Sequence, residues 1–398
     1  MPPVHGQALR ARLEKLDIEI LRQKKLLKRL KHDRIIARRQ LNAALDPMAR
    51  LPLEISSEIF FLCLPTGSTL FPQPGALRLP MLLLNICNAW RRIAESTPSL
   101  WATIHIPSRD SAQGLEELVP LWLTRARNRL LSISLSGDAS FDPNVISTVW
   151  SHGPQVKHLE MCEVEYELGG SGDPGWAMNL WEGRVGPGPL PALETLVIRG
   201  LHMARHCRFP SHQILELLRL APNLVECVFS DVEVEFAPVA RRTGGRLVLP
   251  NLRRLVFDES KVKRGTPFSR GVLDHLALPA LEALVVNVGG AELLSFLMES
   301  SPPLRELVVT DPGNFSLLVR CLRLVPRLHQ LELWSSQSDL AEDLFDELAA
   351  ESPSPLLPRL STLVFHFDAD EDLSTVPESF WPAALEPAAP ACASSTLS

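Results

Sequence analysis

A chain of 398 residues, 45% hydrophobic and 22% charged, can bury one large core or two to three ordinary ones. Its formal charge of -6 is unevenly placed: residues 9–45 hold 12 Lys/Arg against 4 Asp/Glu, a local +8 that leaves -14 on the remainder. Seven scattered cysteines, odd in number and without a C-x-x-C pair, argue against a disulfide scaffold or a Cys-rich metal site and suit a reducing compartment.

The most apolar run, residues 77–86, is interrupted by Arg78, Pro80 and Asn85 and is too short to span a bilayer. No apolar leader opens the chain, because its first apolar residues sit among lysines and arginines. The expectation is an intracellular protein, in cytoplasm or nucleus, with no membrane contact.

Residues 7–45 predict one long helix. Leu9, Leu16, Gln23, Leu30, Ala37 and Ala44 recur every seven residues, and Leu13, Ile20, Leu27, Arg34 and Leu41 form a second series offset by four. Such a double series is a coiled-coil seam. Its expected seam residues are Leu9, Leu13, Leu16, Ile20, Leu27, Leu30 and Leu41, with Gln23 and Arg34 as polar interruptions that could set register. The seam would pair the chain with itself or with a helical partner, against the plainer reading of a solitary or back-packed charged helix. The basic face (Lys24, Lys25, Lys28, Arg29, Lys31, Arg38, Arg39) would attract phosphates only nonspecifically. Nucleic acid is therefore not an expected partner. Asp46-Pro47 stops the helix.

Residues 48–102 predict a small helical module. Pro52 and Glu54 mark a helix start, with Ile55, Ile59, Phe60, Leu62 and Cys63 as its apolar face. Residues 65–75 read as a Pro/Gly-rich loop, and a second helix is expected over 80–94. So little surface is marginal alone, and such a unit is often completed by a neighbour.

The order Leu51-Pro52-x-Glu54-Ile55, Ile59-Phe60, Cys87-x-x-Trp90-Arg91-x-x-Ala94 and Pro98-x-Leu100-Trp101 resembles an F-box, more narrowly the F-box-like segment of mushroom-type fungal families. In those families a short coiled coil often precedes the F-box and leucine-rich repeats follow it. The resemblance implies docking on the Skp-type adaptor and, through it, on a cullin ligase core. Leu51, Pro52, Ile55, Ile59 and Phe60 would supply the first part of the adaptor-facing surface, and Cys87 and Trp90 would hold or extend it. The insertion at 65–75 departs from the family pattern and bears on adaptor affinity.

Over 103–381 one phrase returns: Pro, any residue, Leu or Val, two residues, Leu. It starts at Pro154, Pro191, Pro222, Pro250, Pro279, Pro302, Pro326 and Pro358, at spacings in or near the range of leucine-rich repeats. Strands are expected at 101–106 and 130–135 and after each phrase. Helices are expected over 115–126, 211–220, 270–276, 291–299, 314–324 and 340–350. Two insertions, 166–189 with Trp176 and Trp181 and 234–247 with Arg241, Arg242 and Arg246, are mobile solvent loops or partner loops on one rim. The tail over 382–398 is Pro/Ala/Ser-rich and expected to be disordered.

The expected class is thus α/β, a small helical F-box followed by an irregular leucine-rich-repeat-like solenoid and preceded by a long N-terminal helix. No H-E-x-x-H, G-x-S-x-G, phosphate-loop or zinc-spaced Cys/His pattern occurs. His202 and His206 stand four apart beside Cys207 in an expected loop, and Asp368, Asp370, Glu371 and Asp372 form a charged run without calcium-loop spacing. No cofactor, metal or catalytic residue is expected. The functional expectation is a non-enzymatic substrate-recognition adaptor of an SCF-type ubiquitin ligase with an unknown target protein. The alternative is a non-catalytic repeat scaffold whose degenerate F-box serves as a structural cap.

Overall fold

The structure is a computed structural model. It describes residues 4–64, 79–107, 114–136, 142–162, 186–200, 207–230, 232–235, 246–258, 272–287, 290–310, 312–334, 338–350, 355–366 and 395–397. The chain divides into two units: Met1–Ala102 with Arg125–Arg127, and Thr103–Thr124 with Asn128–Ser398. The loop expected at 65–75, His202, His206 and the acidic run at 368–372 lie outside the described residues, as do most of both insertions and of the tail.

The N-terminal unit begins with helix α1 (Val4–Leu45), about 60 Å long at 1.5 Å per residue. Asp46 ends it and starts a 3-10 turn at Pro47–Arg50, its carboxylate accepting the Met48 N–H at 2.9 Å. The same carboxylate accepts from Trp90 Nε1 and, at 3.9 Å, from the Cys87 thiol. One short acid therefore ties the helix end to the later helices. α2 (Leu53–Leu62) buries Ser56 and Phe60, and Ser56 Oγ donates to the Met48 carbonyl at 3.2 Å. Phe60 meets the Trp90 ring at 4.8 Å between centroids.

The single helix expected over 80–94 is two. α3 (Leu79–Ile86) and α4 (Asn88–Ser96) are separated by Cys87 in an extended conformation (φ -153°, ψ 173°). Neither proline nor glycine marks this break. It is stabilised by burial of Cys87 beside Asp46, and Arg91 Nε donates to the Leu84 carbonyl at 3.2 Å, satisfying an acceptor the helix end leaves open. A 3-10 turn at Pro98–Trp101 closes the unit.

The second unit is built on strands. β1 (Thr103–Pro107), β2 (Leu131–Ser136), β3 (Val156–Cys162), β4 (Thr195–Arg199) and β6 (Glu226–Ser230) are followed by β9 (Arg254–Asp258), β11 (Ala283–Val286), β12 (Glu306–Val309), β13 (Gln330–Trp334), β14 (Thr362–His366) and β15 (Ser395–Leu397). These form one eleven-stranded sheet whose spatial order follows the chain, every pair parallel. β5 (Cys207–Pro210) pairs with β7 (Val232–Glu235), and β8 (Leu247–Val248) with β10 (Leu276–Ala277), as separate parallel pairs. The order never reverses among these strands, so the sheet lacks the switch point at which open α/β sheets hold nucleotides.

Register explains the core. Leu159, Leu196, Cys227, Leu255, Leu284, Leu307 and Leu331 align across neighbouring strands, and two residues on, Met161, Ile198, Phe229, Phe257, Val286, Val309 and Leu333 align likewise. Residues two apart in a strand share a face, and all of these are buried. Helices cover that face: Phe345 of α10 (Ser338–Ala349) lies 5.7 Å from Phe365 between ring centroids. α8 (Gly290–Ser300) and α9 (Phe315–Arg323) approach so closely that a Cβ on Gly290 would stand 2.6 Å from Leu317 Cβ, which only glycine avoids. α5 (Leu115–Ala126), α6 (Pro143–Ser151) and α7 (Ser211–Leu220) complete the regular helices described.

The expected small helical F-box followed by an irregular leucine-rich-repeat-like solenoid is corrected. The observed body is a continuous mixed α/β domain organised by a parallel sheet. The physical reason is the backbone ladder. Each strand edge exposes N–H and C=O groups that need partners, and every Pro-x-Leu phrase delivers its strand onto the preceding one. Glu282 N bonds the Arg253 carbonyl (2.8 Å), Arg305 N that of Glu282 (2.7 Å), His329 N that of Arg305 (2.8 Å) and Ser361 N that of His329 (2.9 Å). The phrases thus merge into one hydrogen-bonded layer.

Candidate protein-binding surface

Alternate strand positions point away from the helices, and their registered columns define a second face of the sheet. Its central column reads His105, Ser134, Glu160, Val197, Val228, Val256, Val285, Val308, Glu332 and Val364 from β1 to β14. Five successive strands, β4 to β12, therefore present valine at one level. Val228, Val285, Val308 and Val364 are only partly buried. β-Branched side chains suit a pleated surface; Val197 and Val256 are buried, and the three partly accessible valines Val228, Val285 and Val308 carry the apolar character of this face.

Polar groups close both ends of the stripe. At β1–β4 the two His105 ring nitrogens face Ser134 Oγ (3.3 Å) and Ser136 Oγ (2.9 Å), and Arg199 Nε donates to Glu160 at 3.1 Å. Ser136 is buried and Ser134 half-buried, so these contacts tie β1 to β2 within the sheet. At the other end the Trp334 and His366 rings stack at 4.1 Å, and both donate to or share Glu332 Oε1, from Trp334 Nε1 at 3.0 Å and with His366 Nε2 at 2.9 Å.

Burial holds His105 below its ordinary pKa of 6.5 against the opposing pull of Glu160, and burial does the same to His158. A histidine with a depressed folded pKa stays neutral while the unfolded chain takes up protons, so its contribution is complete above pH 6.5 and is lost as pH falls below it. The melting temperature should therefore drop as pH is lowered from 7.5 to 5.5. A His105→Gln/His158→Gln variant should show a shallower decline, and an equally steep one would remove these two residues as its cause.

The edge where the strands begin carries the charge. A recess of about 300 Å³ is lined by Glu282, Pro303, Arg305, Arg327, His329 and Arg359. Pro303, Arg327 and Arg359 occupy the same place in three successive Pro-x-Leu phrases, and Glu282, Arg305 and His329 the place after the leucine. Repetition of the phrase thus stacks these side chains. The three arginines are exposed and have no ion-pair acceptor among the described residues, whereas Glu282 faces Arg253 at 3.6 Å. Arg305 stands just before β12, three residues from Val308 and roughly 10 Å along an extended chain. An odd offset does not place the two on one face, so the recess belongs to the strand-start edge rather than to the valine face. A second recess of about 370 Å³ on the same edge includes Asn223, Val225, Asn251 and Arg253, with Asn251 Nδ2 donating to Asn223 Oδ1 at 3.1 Å.

The residues expected to face an adaptor do not share one surface. Leu51, Pro52, Ile55 and Ile59 are exposed, whereas Phe60 and Cys87 are each 2% exposed and hold the unit together with the half-buried Trp90. The seven seam residues of α1 are all exposed. Among the described residues no group of three His, Cys, Asp or Glu could hold a metal ion, and no helix is long and apolar enough to cross a membrane. The valine stripe was missed at the sequence level although Val197, Val256, Val285 and Val308 directly follow the last leucine of their phrase and Val228 follows Cys227 at the same place. The signal was that fixed offset, which strand pairing turns into a column.

No family model matches the chain, and no curated protein matches it. The ubiquitin-ligase adaptor reading, together with its alternative of a scaffold capped by a degenerate F-box, is corrected on the architecture. A continuous α/β sheet domain replaces the F-box and repeat arrangement on which both rested. Phe60, expected on the first part of the adaptor-facing surface, and Cys87, expected to hold or extend it, are both buried in the helical unit.

Proposed function

We propose that this chain is a non-catalytic protein-binding platform, and that the sheet face opposite the helices takes an extended partner segment bearing both apolar and acidic side chains. The observation that carries this reading is the valine column from Val197 to Val308, in which Val228, Val285 and Val308 stay partly accessible while Val197 and Val256 between and beside them are buried. Partly accessible apolar side chains set side by side in this way favour an apolar partner. The chemistry of the partner follows from the basic recess beside the stripe. Arg305, Arg327 and Arg359 form a cationic edge on a body whose remainder is acidic, and their planar forks suit carboxylates.

A displayed random-peptide selection on the full chain tests this reading. The enriched peptides should combine apolar residues with Asp or Glu and should bind more weakly as salt rises from 50 to 300 mM. A Val285→Thr/Val308→Thr variant and an Arg305→Glu/Arg327→Glu/Arg359→Glu variant, each shown to be folded by circular dichroism, should lose at least about tenfold in affinity, since tenfold is about 1.4 kcal/mol and one or two anchors carry that much. Unchanged affinity in both folded variants, or no enriched peptide, would overturn it.

A further inference from the structure

Helix α1 extends from Val4 to Leu45 with its seam exposed: Leu9, Leu13, Leu16, Ile20, Leu27, Leu30 and Leu41 are 49% to 60% accessible. A helix this long with an unburied apolar stripe is completed by another helix. The residues flanking the seam say which one. With Leu13, Ile20, Leu27, Arg34 and Leu41 at heptad position a, and Leu9, Leu16, Gln23 and Leu30 at d, position e holds Arg10, Asp17, Lys24, Lys31 and Arg38. Position g holds Arg12, Glu19, Leu26, Asp33 and Gln40.

In a parallel pair each g residue faces the partner's e residue five positions on. Two copies in register then place Arg12 beside Asp17, Glu19 beside Lys24 and Asp33 beside Arg38, and symmetry makes each pair twice. Every pairing in which both members are charged is attractive. The antiparallel arrangement that keeps the apolar layers matched sets Arg10 against Arg38, Lys24 against its own copy and Glu19 against Asp33, with only Asp17 and Lys31 of opposite sign. Gln23 pins the register as well. In register Gln23 meets Gln23, whereas a one-heptad slip buries it against leucine; Arg34 meets its own copy, a like-charge contact that the partner's Asp33 beside it offsets. In the isolated chain Gln23 Nε2 instead donates to Glu19 Oε1 at 2.7 Å. Other basic residues, among them Lys25, Lys28 and Arg29, stay on the outer positions and are exposed.

We propose that the occupant of the α1 seam is a second copy of this chain, in a parallel, in-register two-stranded coiled coil. This is independent of what the sheet face binds. Sedimentation equilibrium of the full chain at 10 µM should give twice the 44.2 kDa chain mass, and Leu13→Asp/Leu27→Asp should give the single mass with an unchanged melting transition of the body. Glu19→Lys/Asp33→Lys should weaken dimerisation at least about tenfold, and adding Lys24→Glu/Arg38→Glu should restore it. Orientation is read by oxidising a Leu9→Cys, Cys63→Ser chain. A covalent dimer between Leu9→Cys copies is expected, because position d meets its own copy in the parallel arrangement. Cross-linking that requires a Leu41→Cys partner chain, a monomeric wild type, or a charge reversal without effect would each overturn the proposal.

Discussion

Phe257→Ala should destabilise the sheet unit by about 3–5 kcal/mol, the range for removing a buried aromatic ring. Phe257 is fully buried and stacks on Phe229 of the adjacent strand at 5.3 Å and 8° between planes. The two rings are registered across β6 and β9, so the cavity would sit between fixed backbones with little freedom to collapse. Urea unfolding followed by circular dichroism measures the loss. The matched control is Val285→Ala, one register column away on the opposite face and only partly buried. It should cost well under half as much. Equal losses at the two positions would mean that both faces of the sheet are packed, and the assignment of core to one side would fail.

Trp101→Ala should be comparably costly to the N-terminal unit, about 3–5 kcal/mol. Trp101 is fully buried, its Nε1 donates to the Ala94 carbonyl at 2.8 Å, and the Arg125 guanidinium lies 4.6 Å from the ring centre. Arg125 also pairs with Glu95 at 3.3 Å, so the indole sits under a charge fixed from a second side. Trp101→Phe keeps most of the packing and removes one of two donors to the Ala94 carbonyl, which keeps the Thr97 N–H at 3.3 Å, a loss of about 0.5–1.5 kcal/mol. Hydrogen exchange resolved on α4 is the measurement. Faster exchange in Trp101→Ala than in Trp101→Phe is expected, and identical protection in the two would assign the effect to the hydrogen bond alone.

These residues also show what was legible beforehand. Strands at Leu196-Val197-Ile198 and Leu284-Val285-Val286 are written in local alternation after a proline, and β4 and β11 stand there. α6 was missed although its signal is local: Asp142 accepts the Asn144 N–H at 2.8 Å and Pro143 opens the first turn. The break at Cys87 had no local signal, because it depends on Asp46, 41 residues away. The fold class was misassigned for a related reason. Periodicity reports how one segment repeats, whereas the extent of a sheet is decided by hydrogen bonds between segments. The candidate surface suffered the same blindness, since a column such as Val228, Val256 and Val285 exists only once register is known.

The chain-ordered strand sequence also bears on how the protein is made. Each main-sheet strand hydrogen-bonds to a neighbour emitted a few tens of residues earlier or later, so no long loop must close before the sheet can grow. A nascent chain leaving the ribosome would therefore always offer one ready edge, and each new strand would dock on the last without waiting for the C-terminus. The same arrangement leaves that edge bare whenever synthesis stalls. Incomplete chains are then the species most exposed to pairing with one another, and truncation from the C-terminal side should aggravate aggregation before it abolishes folding.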